Sequence, residues 1–240
     1  MTRGDVTKAP IAVALDAPDL DTLRIWVQAV APTVSCLKVG LEVFCRDGHR
    51  SVQTARDSAA QAGSPDIDIF VDMKLHDIPA TVAGAARALA SLQPTYLTVH
   101  AAGGPAMIEA AATALPETRI VAVTVLTSLD AEMTAALGIQ GSPQEIVQRW
   151  ALIAVESGAR AIVCSPQEVG VVRSVVPGDV HLITPGVRPV GADTHDQRRS
   201  ATPRQALDDG ADLLVIGRPI TAAFDPGEAA RAIAAECDRP

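Results

Sequence analysis

Short runs of branched aliphatic residues recur along this chain at intervals of about 30 residues, each followed by an alanine-rich stretch whose apolar positions return with helical period. Read as strands, they span Ile11 to Asp16, Cys36 to Gly40, Asp68 to Lys74, Tyr96 to Ala101, Ile120 to Leu126, Ala161 to Ser165, His181 to Gly186 and Leu213 to Gly217. Runs rich in branched aliphatics suit a parallel sheet covered by helices, since neither face then meets water. Eight of them, alternating with helices and uninterrupted by linker or low-complexity segments, predict an α/β fold of the (β/α)8 TIM-barrel kind rather than an open doubly wound sheet. The 240 residues match the size of one barrel, so the chain, 1–240, is expected to form a single domain.

Two connections are long and rich in turn formers: Ser128 to Pro143 after the fifth strand and Val187 to Pro203 after the seventh. Both leave a carboxyl strand end, the face on which barrel enzymes build their sites. Loops of this length there are expected to be lids or ligand clamps.

Composition narrows the function. The apolar fraction of 48% is almost wholly Ala, Val, Leu and Ile; the aromatic residues are Trp26, Phe44, Phe70, Tyr96, Trp150 and Phe224, so the core must be aliphatic. A net charge of -8 and a pI near 5.1 offer no basic field to nucleic acid, and the scarcity of aromatics removes the stacking platforms of single-strand binders. The polar stretch Met1 to Pro10 and the lack of any apolar run of about 18 residues predict a cytoplasmic protein with no signal peptide and no membrane partner. Cys36, Cys45, Cys164 and Cys237 show neither Cys-x-x-Cys pairing nor His at zinc-finger spacing, so they are expected to be reduced, mostly packing residues, with no metal.

Ionisable residues interrupt the aliphatic pattern at two strand ends, Cys36-Leu37-Lys38-Val39-Gly40 and Val71-Asp72-Met73-Lys74-Leu75-His76-Asp77. Residues two apart on a strand share a face, so Asp72 and Lys74 are expected to point into the barrel while Val71 and Met73 pack on helices. Neighbouring strands lie about 4.8 Å apart, which puts Lys38 beside that pair. Asp77, in the following turn, completes an alternating Lys, Asp, Lys, Asp set. Of the 20 basic residues only Lys8, Lys38 and Lys74 are lysines, and two of them stand at barrel-strand ends. There a compact ammonium with movable protons does what a permanently charged guanidinium cannot. A buried salt-bridge network would account for one Lys and one Asp; two of each at the catalytic face point to chemistry. Flanking carboxylates favour the charged ammonium, the reverse of what an imine-forming lysine needs, and the sixth strand carries no lysine. The set reads as acid or electrostatic catalysis.

A second constellation ends the seventh and eighth strands, Thr184-Pro185-Gly186-Val187-Arg188 and Leu214-Val215-Ile216-Gly217-Arg218-Pro219, where barrels commonly bind phosphate. Gly217 would let backbone amides approach phosphate oxygens and Arg218 would make a bidentate contact, with Arg188 and Gln197 of the long loop closing over them. Asp16 either accepts from ribose hydroxyls or caps the next helix. Thr127 and Ser128 either face a heterocycle's edge or are turn residues. His100 reads as a structural histidine, and His49, His76, His181 and His195 have no recognisable metal spacing.

The segment Asp72-Met73-Lys74-Leu75-His76-Asp77-Ile78-Pro79-Ala80-Thr81 resembles the signature of the orotidine 5'-monophosphate decarboxylase family. Leu15-Asp16, Leu37-Lys38-Val39-Gly40, Thr124-Val125-Leu126-Thr127-Ser128, Pro185-Gly186-Val187-Arg188, Asp196-Gln197-Arg198-Arg199 and Gly217-Arg218-Pro219-Ile220 are similar to its bacterial form, in order and over nearly the whole chain. The resemblance implies decarboxylation of orotidine 5'-monophosphate to UMP, the last step of pyrimidine nucleotide synthesis, without metal or organic cofactor. It implies that Lys38, Asp72 and Lys74 form the charged array, with Lys74 protonating C6. It further implies a homodimer in which Asp77, Ile78 and Thr81 reach the other subunit's site. Asp16 would hold the ribose, Thr127 and Ser128 the pyrimidine, and Pro185, Arg188, Gln197, Gly217 and Arg218 would line the phosphate end. Ala80 departs from the Asn often found in bacterial members; the motif around it is intact.

Two rivals share parts of this pattern. Related phosphosugar barrels, 3-keto-gulonate 6-phosphate decarboxylase and hexulose phosphate synthase, use magnesium and an acidic residue of the second strand, where Lys38 here would repel a metal. A catalytically silent nucleotide-binding barrel would have no reason to concentrate these charges.

Overall fold

Eight parallel strands close on themselves in chain order in the computed structural model, which describes residues 8–189 and 201–238. They are β1 (Ala9–Ala14), β2 (Val34–Gly40), β3 (Asp68–Leu75), β4 (Tyr96–His100), β5 (Arg119–Val123), β6 (Ala161–Val163), β7 (His181–Pro185) and β8 (Leu213–Ile216), and β8 pairs with β1 to complete the barrel. Each strand is followed by helix: α1 (Leu20–Val30), α2 and α3 (Leu41–Asp47, His49–Gln61), α4 (Pro79–Leu89), α5 (Pro105–Ala114), α6 and α7 (Ala131–Ala136, Pro143–Glu156), α8 (Val169–Arg173), α9 (Pro203–Asp208), and α10 and α11 (Arg218–Thr221, Pro226–Cys237). The expected (β/α)8 architecture is therefore present. Among the described residues no helix is long and apolar enough to cross a membrane.

Local sequence sets the helix starts. Asp19 caps α1 by accepting the Thr22 N–H at 2.7 Å, and Ser142 with Glu145 and Thr202 with Gln205 form reciprocal capping boxes on α7 and α9. Proline opens α4, α5, α7, α9 and α11, where its missing N–H would have had no helical partner.

Boundaries differ from the sequence reading in instructive places. The fifth strand stops at Val123 rather than Leu126, level with the end of its partner β6 at Val163, whose carbonyl accepts both the N–H and the hydroxyl of Thr124, at 3.3 and 2.8 Å. The connection from Ser128 to Pro143 is not irregular throughout: it contains α6, capped by the Asp130 side chain on the Met133 N–H at 3.0 Å. Six residues are too few for helical period to declare itself.

The core has two shells. Outward-facing strand residues, such as Val13, Leu37, Ile69, Leu97 and Leu214, pack under the helices. Inside, each strand contributes one residue to a plug: Ala12, Cys36, Phe70, Tyr96, Val121, Ala161, Ile183 and Leu213. The Phe70 and Tyr96 rings meet with centroids 5.5 Å apart, and the Tyr96 hydroxyl lies 3.0 Å from His181 Nδ1. The plug fills the amino end and makes the interior a packed core rather than a pore. All four cysteines are free; Cys36, Cys164 and Cys237 are buried and Cys45 is exposed.

Candidate active site

Two residues beyond the plug, the inward positions change character. Following the strand period of two, they are Ala14, Lys38, Asp72, Thr98, Val123, Val163, Pro185 and Val215. Most of them line a cavity of about 190 Å³, which Lys74, Phe70, Val125, Leu126, Thr127 and Cys164 complete. A second hollow of about 250 Å³ shares Lys38, Asp72, Pro185 and Val215 with the first and continues to Asp16, Gly186, Arg188, Gly217 and Arg218. The mouth is thus one cleft with a largely apolar half over β5 and β6 and a polar half over β1, β7 and β8.

Asp72 stands where the halves meet, 8% exposed, and Lys38 beside it is 7% exposed. Lys38 Nζ donates to Asp72 Oδ2 at 3.0 Å, and Lys74 Nζ donates to Oδ1 at 2.8 Å. The Thr98 hydroxyl adds a third donor to Oδ1 at 3.0 Å. Burial pushes the Asp72 carboxyl up, but the two ammonium groups and their hydrogen bonds outweigh it and hold its pKa down to about 2. Burial together with the neighbouring His76 and Lys74 lowers the pKa of His100, whose ring lies 5.4 Å from that of His76.

Lys74 reaches Asp72 by a different route from the simple pleat expected. The β3–β4 register runs from Val71 opposite Leu97 to Leu75 opposite Val99, so β3 carries two extra residues there. Lys74, within this bulge, has a φ of 47°, in the left-handed region that residues with side chains seldom occupy. Its N–H donates to Thr98 Oγ1 at 2.8 Å.

Asp16 lies on the rim of the polar half and does not cap α1, since Asp19 does. A Cβ built on Gly40 would stand 2.9 Å from Asp16 Oδ1 and 3.2 Å from Lys38 Nζ, so only glycine there lets both groups approach the cleft undisturbed. Arg188 and Arg218 line the same half. Among the described residues the lining carries four cations, Lys38, Lys74, Arg188 and Arg218, and two carboxylates, Asp16 and Asp72. In a chain of net charge -8, this gathers cationic side chains of the kind that contact anionic groups into one cleft.

Not every expected residue joins the cleft. Asp77 is exposed and accepts the Ile78 N–H at 2.6 Å, and it contacts neither lysine, so within one chain the charged set has three members rather than four. Ile78, 66% exposed, and Thr81 face outward from the same β3–α4 junction. Thr127 lines the apolar half, while Ser128, next in the turn, is exposed and does not line it. Gln197 lies outside the described residues. Among the described residues no group of three or more His, Cys, Asp or Glu side chains could hold a metal ion.

Sequence reading missed Thr98 and the apolar wall of Phe70, Val123, Val163 and Val215. Their signal was present in the strand period: Thr98 follows Tyr96 by two on β4, and a polar residue at an inward position is the exception to explain.

Residues 9–233 match the model of a family described as orotidine 5'-phosphate decarboxylase / HUMPS family. Orotidine 5'-phosphate decarboxylase of Thermobifida fusca (strain YX) is 60% identical over 231 residues, covering 96% of this chain and 97% of that one. The protein of the same name from Frankia casuarinae is 54% identical over 239 residues, covering 95% and 87%. A crystal structure of orotidine 5'-phosphate decarboxylase from Lactobacillus acidophilus superposes with a TM-score of 0.80 at 34% identity, covering 97% of this chain and 100% of that one.

The Asp72 carboxylate titrates at about 2 in the fold against about 4 in an unfolded chain. A lowered folded value contributes stability above about pH 4, on the order of 2 kcal/mol, and that contribution is lost as the pH falls through about 2. Asp72→Asn removes the counter-charge from two clustered ammonium groups and is expected to cost about 3 kcal/mol at pH 7. Urea unfolding of both proteins should show this gap constant near neutrality and closing below about pH 4; a gap unchanged at low pH would contradict the ionised, ion-paired Asp72.

Proposed function

The chain belongs to the orotidine 5'-phosphate decarboxylase / HUMPS family, and on that footing we propose that it removes CO2 from orotidine 5'-monophosphate to give UMP. The observation that carries this reading is the trio Lys38, Asp72 and Lys74, joined at 3.0 and 2.8 Å at the centre of the cleft. Loss of CO2 from C6 leaves an electron pair in the plane of the pyrimidine, orthogonal to its π system, so no ring carbonyl delocalises it directly. A fixed cation beside C6 answers that need. In our reading the C6–CO2 bond breaks with its electrons staying on C6, Lys74 stabilises the developing carbanion, and then its Nζ–H proton passes to C6. That interaction strengthens between ground state and transition state, which is the condition for acceleration. Asp72 keeps the lysine charged and oriented, and Lys38 satisfies the second carboxylate oxygen.

The substrate fits the two halves of the cleft. The pyrimidine belongs in the apolar half beside Thr127, with Ser128 in the adjoining turn at its edge; the ribose lies by Asp16 and the phosphate by Arg188, Gly217 and Arg218. Lysine and arginine side chains along this path suit the carboxylate and the phosphate monoester of the substrate. Phosphate binding far from the broken bond can drive closure and expel water, which strengthens the field of the trio. Asp77, Ile78 and Thr81, exposed together at this junction, would enter the site of a second subunit in a homodimer.

The rival reading as a magnesium-dependent phosphosugar enzyme is disfavoured at one residue. Lys38, 3.0 Å from Asp72, favours the metal-free reaction, because an ammonium at that point repels a divalent cation.

Loss of orotidine 5'-monophosphate absorbance with EDTA-treated protein tests the assignment. Wild type is expected to decarboxylate rapidly and Lys74→Ala to be slower by about 10³-fold or more; a wild type without activity overturns the reading. Arg218→Ala should lower kcat/KM about a hundredfold although it never touches C6. Near-normal efficiency of that variant would remove Arg218 from the phosphate site.

A further inference from the structure

Thr98, the third donor to Asp72, is fully buried on β4 and has no place in the reaction just described. The Lys74 N–H can only donate, so the Thr98 oxygen is the acceptor in their 2.8 Å contact. The hydroxyl's single proton is thereby committed to Asp72 Oδ1, 3.0 Å away. The same Oδ1 accepts from Lys74 Nζ at 2.8 Å. Both ends of Lys74, its backbone N–H and its ammonium, are thus tied to one carboxylate oxygen, and Thr98 is the link between them.

The link sits where the backbone needs holding. Lys74 occupies the left-handed region at φ 47°, inside the two-residue slip between β3 and β4. That conformation is disfavoured for a residue with a side chain and persists only where surrounding contacts fix it. Thr98 is well suited to do so, since a β-branched side chain in a strand has restricted χ1 and its oxygen cannot swing away freely.

We propose that Thr98 is a positioning residue: by holding the bulge at Lys74 and the rotation of Asp72 together, it sets where the Lys74 ammonium stands in the cleft. Thr98 touches no reacting atom and acts through Lys74 and Asp72, so the kinetic part of the proposal rests on the function assigned above. Its structural part does not. The chain has three lysines, Lys8, Lys38 and Lys74, so protein labelled with ¹³C at lysine Cε gives a spectrum simple enough to assign, with Lys74 identified by its loss in Lys74→Ala.

Two pairs isolate the hydroxyl: Thr98→Val against wild type, nearly equal in shape, and Thr98→Ala against Thr98→Ser, which serves equally if Thr98→Val does not fold. Removing the hydroxyl is expected to displace the Lys74 signal while leaving that of Lys8 in place, and to lower kcat by about ten- to hundredfold with KM changed less than about threefold. Thr98→Ser should restore both. An unmoved Lys74 signal, a kcat loss as large in Thr98→Ser as in Thr98→Ala, or an effect confined to KM would each overturn the proposal. Should removal of the hydroxyl move the signal as expected while the wild type does not decarboxylate orotidine 5'-monophosphate, the positioning role stands and the assigned reaction falls.

Discussion

An ionised carboxylate inside an aliphatic barrel is the constraint on which the rest of this structure turns. Asp72 is 8% exposed, and isolated there it would take up a proton rather than carry charge. It stays ionised because Lys38, Lys74 and Thr98 supply three donors to its two oxygens. The dependence is mutual: Lys38, equally buried, has Asp72 as its counter-charge. Such a cluster is weak evidence for stability, since a hydrophobic replacement would avoid the desolvation cost altogether. Its value lies in a fixed, strongly localised field at the mouth of a cavity.

The fold supports that field by dividing the barrel interior along its axis. One residue from each strand closes the amino end with a dry plug, from Ala12 round to Leu213. The next inward residue on each strand, two positions later, builds the floor of the cleft, so rigid strands rather than loops carry Lys38 and Asp72. Of the trio, Lys74 departs from regular strand geometry, and its bulge is tied down by Thr98. In the proposed reading the phosphate end lies on the loops after β7 and β8, where Arg188 and Arg218 line the cleft far from the reacting carbon.

Much of this was legible in the sequence. Aliphatic runs at regular spacing gave the strands and their number, and two lysines at strand ends in an arginine-rich chain marked the site. What stayed hidden depended on geometry that period alone does not contain. The bulge at Lys74 could not be read from the sequence, because no Gly or Pro in β3 marks it, and it is why the alternation argument reached the right neighbour by the wrong path. Asp77 is close in sequence to the trio but turns away with the chain at the start of α4. Thr98 was missed because attention went to titratable groups, although its inward position on β4 followed from Tyr96 by simple alternation.

The central claim is that the Lys74 ammonium, held by Asp72, delivers a proton to C6. By microscopic reversibility the same group must remove that hydrogen from the product. Wild-type protein with UMP in D2O should therefore exchange the C6 hydrogen for deuterium, followed as loss of its proton NMR signal, and Lys74→Ala should not. Exchange by Lys74→Ala at the wild-type rate would contradict the account, because another group would then be carrying the proton.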